Sequence, residues 1–130
     1  MAIRRFALAL VIGTALLIVP LRAHHNMSAV FDFNDRVTLS GTLAKVDWRN
    51  PHIELEIRAQ RDSGVEAWMA EGPSPLFFRT RETSKEDFQS AIGKMIKLEV
   101  SRARDGSHSG LLRSITLADG KTVSMCPENC

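Results

Sequence analysis

Two consecutive β-runs, Val37–Trp48 and Ile53–Ala59, constrain the fold of this chain more than any other stretch. In the second run the odd-numbered residues are apolar and the residues between them are charged, which is the pattern of a half-buried strand. The linking residues 49–52, Arg-Asn-Pro-His, favour a turn because Asn and Pro both promote chain reversal. The sequence therefore predicts a hairpin to which the later segments are added.

The first run changes phase along its length. Val37 and Leu39 are apolar at odd positions, whereas Val46 and Trp48 are apolar at even positions. We predict the switch near Gly41, because glycine adopts the backbone angles of a β-bulge without a Cβ clash. A strand coiled at a glycine is able to contribute to two sides of a small barrel.

The rest of the chain predicts three more strands, two short helices and a terminal arm. The odd-numbered residues of Val65–Ala70 form the apolar row of a third strand, and helices are expected to begin at Ser74-Pro75 and at Ser84, the second ending at Gly93. The remaining segments are strands at Met95–Ala103 and Leu111–Ala118 and an arm at Lys121–Met125. This order predicts a mainly β fold, an OB-like five-stranded Greek-key barrel with a short helical crossover between strands 3 and 4.

Residues 1–23 have the pattern of a secretory signal peptide. Arg4 and Arg5 precede an uncharged apolar run from Phe6 to Val19, and Ala23 fits the last position before cleavage. The apolar run is short for the roughly 30 Å of bilayer hydrocarbon, so cleavage is expected and an uncleaved anchor is the alternative. The mature chain would then comprise an N-terminal arm at 24–36, the barrel domain at 37–125 and a tail at 126–130.

Cleavage changes the charge balance of the protein. Loss of Arg4, Arg5 and Arg22 leaves 14 of the 17 basic residues against 15 acidic ones, so the mature chain carries a net charge near −1. A chain without net positive charge is a poor candidate for general nucleic-acid binding. No second hydrophobic segment follows, so we expect no membrane association after cleavage.

Several short motifs occur together and in a fixed order over nearly the whole mature chain. They are Ala23-His24-His25, Thr-Leu-Ser-Gly-Thr at 38–42, Trp-Arg-Asn-Pro-His at 48–52, Gly-Pro-Ser-Pro at 72–75, Arg-Asp-Gly-Ser at 104–107 and Leu-Ala-Asp-Gly at 117–120. In these motifs the chain resembles the small secreted bacterial proteins of domain-of-unknown-function family 6152. The resemblance implies a periplasmic protein and supplies no activity.

Three histidines, His24, His25 and His52, are candidate metal ligands. Cleavage after Ala23 would make His24 the mature N-terminus, where the α-amino group and the imidazole together offer two nitrogen ligands. His25 or His52 would add a third nitrogen, a set that suits copper and also zinc. The alternatives are a polar signal-peptide exit that binds metal adventitiously, and a His52 that caps the turn and stacks on Trp48.

Trp48 and Trp68 are the candidates for binding an organic ligand. If their rings were exposed on the barrel face, they could stack on a small molecule or glycan or contact a protein partner in the periplasm. Core packing is the alternative for both rings. The run around His108 consists of turn residues, and no convergent nucleophile or acid–base set is evident, so we expect a non-catalytic binding or accessory protein.

Cys126 and Cys130 are the only cysteines of the chain. In an oxidising compartment such a pair is expected to form a disulfide, which would tie the tail locally. Thiolate metal binding and thiol redox chemistry remain the alternatives, although the spacing matches neither Cys-x-x-Cys nor the haem-attachment motif.

Overall fold

The computed structural model describes residues 26–125, and within them six strands form one sheet of mainly antiparallel pairs in the order β3-β2-β1-β4-β5-β6. A mainly β fold with a few short helices is therefore confirmed. The elements in chain order are α1 Met27–Val30, β1 Phe31–Asp47, β2 Glu54–Arg61, β3 Gly64–Glu71, α2 Pro75–Arg79, α3 Lys85–Ala91, β4 Met95–Ala103, β5 Ser109–Thr116 and β6 Thr122–Ser124.

The first strand is the longest and lies at the middle of the sheet. It begins at Phe31, so part of the predicted N-terminal arm belongs to β1. Its C-terminal half pairs with β2 and its N-terminal half with β4, and Gly41 and Thr42 pair with both neighbours. In addition, β3 pairs in parallel with β5 over Met69–Glu71 and Ser109–Leu111.

The predicted bulge near Gly41 lies instead between Leu43 and Lys45, where the register with β2 shifts. Leu39, Gly41 and Leu43 all face the core, so the phase has not yet changed at the glycine. Gly41 is required for a different reason: a Cβ there would lie 2.0 Å from the carbonyl oxygen of Arg58. The close approach of β2, rather than a bulge, explains why position 41 is a glycine.

The core is formed by one face of the strands together with the two central helices. The odd-numbered residues from Ile53 to Ala59 are all fully buried, as predicted. The third strand has the opposite phase from the prediction, because Trp68 and Ala70 are buried whereas Val65 and Met69 are exposed. In β5 the buried apolar side chains are those of Leu112 and Ile115, and the spacing between them accompanies a register shift in the pairing of β4 and β5.

The segment between β3 and β4 is helical, as predicted. Pro75 occupies the first turn of α2, and Ser84 and Asp87 form a reciprocal capping box at the start of α3. Gly93 follows α3 with a φ of +82°, a conformation that favours glycine. None of the helices within residues 26–125 is long and apolar enough to cross a membrane.

Candidate functional site

His52 occupies the loop between β1 and β2, directly after a cis Asn50–Pro51 peptide bond. Its Nδ1 lies 2.5 Å from the Oε1 atom of Glu71 at the end of β3. The loop is held against β3 because the Ile53 amide donates to the Pro73 carbonyl and the Gly72 amide donates to the Ile53 carbonyl. His52 is thus positioned by two strands, and its side chain remains 37% exposed.

The contact with Glu71 determines which imidazole nitrogen is available. A carboxylate accepts a hydrogen bond from Nδ1–H, and in that tautomer Nε2 carries the lone pair that can bind a metal ion. Histidine ligands of metal ions are commonly oriented by a carboxylate in this way. The pair therefore has the arrangement of a metal-ligating histidine and its supporting acid.

Two clefts meet at His52. The larger, of about 550 Å³, is lined by charged, polar and apolar residues, namely Met27, Val30, Phe31, Arg49, Asn50, Pro51, His52, Glu54 and Glu71. The smaller, of about 240 Å³, is lined mainly by apolar groups, namely Met27, His52, Gly72, Pro73, Leu111, Leu112, Arg113 and Met125. His52 and Met27 line both clefts, so the start of the described chain lies at the same place as the histidine.

Two of the three predicted metal ligands, His24 and His25, lie outside the described residues. Within residues 26–125, no group of three or more His, Cys, Asp or Glu side chains is arranged to hold a metal ion. His52 and Glu71 form only a pair there, so a complete metal site at this place needs further ligands. The predicted disulfide partners Cys126 and Cys130 also lie outside the described residues, and their pairing stays a prediction.

Trp48 packs in an aromatic cluster beneath the helical segment. Its ring centroid lies 5.5 Å from that of Phe78 and 5.0 Å from that of Phe88, and both phenylalanines are fully buried. The half-buried Trp48 thus joins β1 to α2 and α3. Its predicted role in ligand binding stays a prediction, since the described contacts of the ring are to the core.

Trp68 is 2% exposed, and its ring is covered by His108. The two rings are stacked, with centroids 5.0 Å apart and planes inclined by 12°. The indole N–H donates to Glu66 over 2.9 Å. This hydrogen bond is the main reason that the pKa of Glu66 lies below its ordinary value, and the Ser63 hydroxyl and nearby His108 also lower it. A ligand could stack on this face of Trp68 only if His108 moved away.

Comparison with known proteins identifies the family. The sequence profile of the family of unknown function DUF6152 matches residues 14–114, which is most of the chain, and the protein belongs to this family. No curated protein and no solved structure matches the chain. The comparisons thus supply a relationship and no activity.

Sequence reasoning found His52 but missed Glu71, Met27 and Met125, which share its surroundings. These residues come from the end of β3 and from the two ends of the described chain. No local spacing links them to the Asn-Pro-His turn; Glu71 is brought there by the pairing of β2 with β3, and Met27 and Met125 by the packing of the chain ends.

Proposed function

We propose that this protein is a small periplasmic, non-catalytic binding or accessory protein that binds copper or zinc through His24, His25 and His52. The observation that carries the proposal is the position of His52 beside Met27, close to the predicted mature N-terminus. The secretory pattern of residues 1–23 supports the location.

Chain length supports the proposed ligand set. His24 precedes Met27 by three residues, and an extended chain spans at most about 3.6 Å per residue. The backbone of a mature His24 could therefore be at most about 11 Å from that of Met27, which lines the same cleft as His52, so His52 would be within reach of the amino terminus. The α-amino and imidazole nitrogens of His24, with the Nε2 atom that Glu71 leaves available, would give the three nitrogen ligands that copper(II) favours.

The charges around the larger cleft also favour a cation. Glu54 and Glu71 are both in its lining. The one guanidinium in the same lining, Arg49, is already held by Asp47 at 3.3 Å and by Glu54 at 3.8 Å. The carboxylates around the cleft therefore carry more negative charge than Arg49 neutralises, and this excess attracts a divalent cation.

We also propose that the sheet closes as an OB-like barrel, in which β1, β2, β3, β5 and β4 follow one another around the ring. The support is the parallel pairing of β3 with β5, together with the pairing of β1 with both β2 and β4. The helical crossover between β3 and β4 is also where an OB-fold has it. The His52 loop would then lie at one end of the barrel, held on a rigid scaffold.

Copper(II) titration of tag-free protein beginning at His24 tests the metal site. A control with three extra residues before His24 moves the amino group away and keeps both His24 and His25 out of the third position, where a histidine would itself form an amino-terminal copper(II) site. His52→Ala is compared with His108→Ala, a histidine on the stacked Trp68 site. We expect sub-micromolar binding with an electron paramagnetic resonance signal of nitrogen ligands, roughly tenfold or more weaker in the extended protein and in His52→Ala. Equal, weak binding by all four proteins would overturn the proposal.

The alternative is a binding module for a small molecule, glycan or protein partner, without metal. The larger cleft favours it, since about 550 Å³ is within the roughly 300–1,000 Å³ of small-molecule sites. Trp48 and Trp68 would take part only if their present packing partners moved. If metal binding fails, titration with soluble glycans and with periplasmic extract metabolites, monitored by tryptophan fluorescence, would test this second function.

A further inference from the structure

The smaller cleft contains two methionines as well as His52. Met27 comes from α1, His52 from the β1–β2 loop and Met125 from the segment after β6, so three distant parts of the chain contribute to one surface. Met125 is held in place because its amide donates to the Arg113 carbonyl over 2.8 Å. Most of the other lining residues, such as Pro73 and Leu112, are apolar.

Thioether sulfur is a neutral, soft ligand that selects copper(I) among the common metal ions, whereas zinc and copper(II) prefer nitrogen, oxygen or thiolate. Two thioethers and one imidazole therefore form a ligand set for a monovalent ion. At about 240 Å³ the cleft is smaller than typical small-molecule sites, which favours an ion over an organic ligand.

Electrostatics in the smaller cleft also favour one positive charge over two. Arg113 belongs to its lining and is only 8% exposed. The repulsion between the arginine and a divalent ion is twice that for a monovalent ion at the same distance. The carboxylate of Glu71, in contact with His52, partly offsets this repulsion.

We propose that Met27, Met125 and His52 form a copper(I) site. The site goes beyond the proposed function in its oxidation state and in its ligands, since it needs neither the amino terminus nor His24 and His25. The two sites would share only His52, which lines both clefts. Because Glu71 leaves only the Nε2 atom of His52 available, His52 would hold either copper(I) on the thioether side or copper(II) on the amino-terminal side, one ion at a time.

Copper(I) titration without oxygen, against a chromogenic copper(I) chelator, tests this site in the full mature protein. The variants Met27→Leu and Met125→Leu keep the apolar volume and remove the sulfur, so a methionine that only packs would tolerate the change. The matched controls are Met69→Leu and Met95→Leu, because these methionines are 42% and 55% exposed and lie outside the cleft.

We expect each cleft variant to bind copper(I) about tenfold or more weakly and the double variant to lose competition with the chelator, while both controls bind like the unchanged protein. X-ray absorption should show sulfur and nitrogen around the copper. Cleft variants that bind as tightly as the controls, or an unchanged protein that does not compete, would refute the site. The protein extended before His24 separates the two proposals, since it should bind copper(II) roughly tenfold or more weakly and bind copper(I) as tightly as the unextended protein.

Discussion

Replacement of Gly41 by alanine gives the sharpest test of how β1 and β2 pack. The new Cβ would lie 2.0 Å from the Arg58 carbonyl oxygen and 2.7 Å from the Ala59 Cα atom. Real Cβ contacts essentially never fall below 3.0 Å, so the strands would have to separate by about 1 Å at this pair. The obstructing atoms are backbone, so no side-chain rotation relieves the clash.

The size of the effect follows from that separation. Widening by about 1 Å takes the neighbouring ladder hydrogen bonds from about 2.9 Å beyond effective range, and each is worth roughly 1 kcal/mol. Overpacking of the adjacent core adds about 1–3 kcal/mol. We therefore expect Gly41→Ala to lower the free energy of unfolding by about 3 kcal/mol or more, which corresponds to a fall in Tm of roughly 12 °C or more for a domain of this size.

Urea denaturation followed by tryptophan fluorescence measures this change. Gly93→Ala is the matched control, because Gly93 has a φ of +82° but no atom within 4 Å of an added Cβ. The control tests backbone strain alone and should cost about 1–2 kcal/mol. If Gly41→Ala costs no more than Gly93→Ala, the close approach of β2 is not what requires the glycine.

Two further predictions concern the helical segment. The hydrogen bond from the Ser84 backbone N–H is the main reason that the pKa of Asp87 lies below its ordinary value of 3.8, so the stabilising effect of the Asp87 carboxylate is present above that pH and disappears as the pH falls through the folded-state pKa. Asp87→Asn should therefore lower the free energy of unfolding by about 1 kcal/mol at pH 7 and by less at pH 2.5. An equal loss at both pH values, measured by urea denaturation, would contradict this. Phe88→Ala should lower the free energy of unfolding by about 3–5 kcal/mol and shift Trp48 emission to longer wavelength, because it removes a fully buried ring 5.0 Å from Trp48. A loss under 1 kcal/mol without an emission shift would show that the aromatic cluster does not stabilise the core.

The sequence predicted the strands best where one face is polar. In β2, charged residues alternate with aliphatic ones, and the buried face was therefore unambiguous. In β3 both faces carry apolar residues, so periodicity alone could not choose between them. The pairing of Trp68 with Ile57 decides the phase, because directly opposed residues of an antiparallel pair lie on the same side of the sheet.

The candidate site was predictable only in part, for a related reason. His52 stands out in the sequence because it follows Asn-Pro, and in the structure it does lie in the loop between β1 and β2. Glu71 was indistinguishable from the other acidic strand residues until the register placed it beside His52. Met27 and Met125 carry no motif at all, since a methionine in a sequence looks the same whether it packs in a core or faces a cleft.

The double pairing of β1 has a consequence for the order in which the protein folds. Thr42 pairs with Arg58 nearby, but its other partner, Met95, follows it by 53 residues. The hairpin of β1 and β2 is able to form early, whereas the opposite edge of β1 stays unpaired until β4 pairs with it. Such long-range pairing slows folding and leaves an exposed edge prone to association with other chains. The time that β4 takes to pair with β1 therefore sets how long this edge is available to other chains.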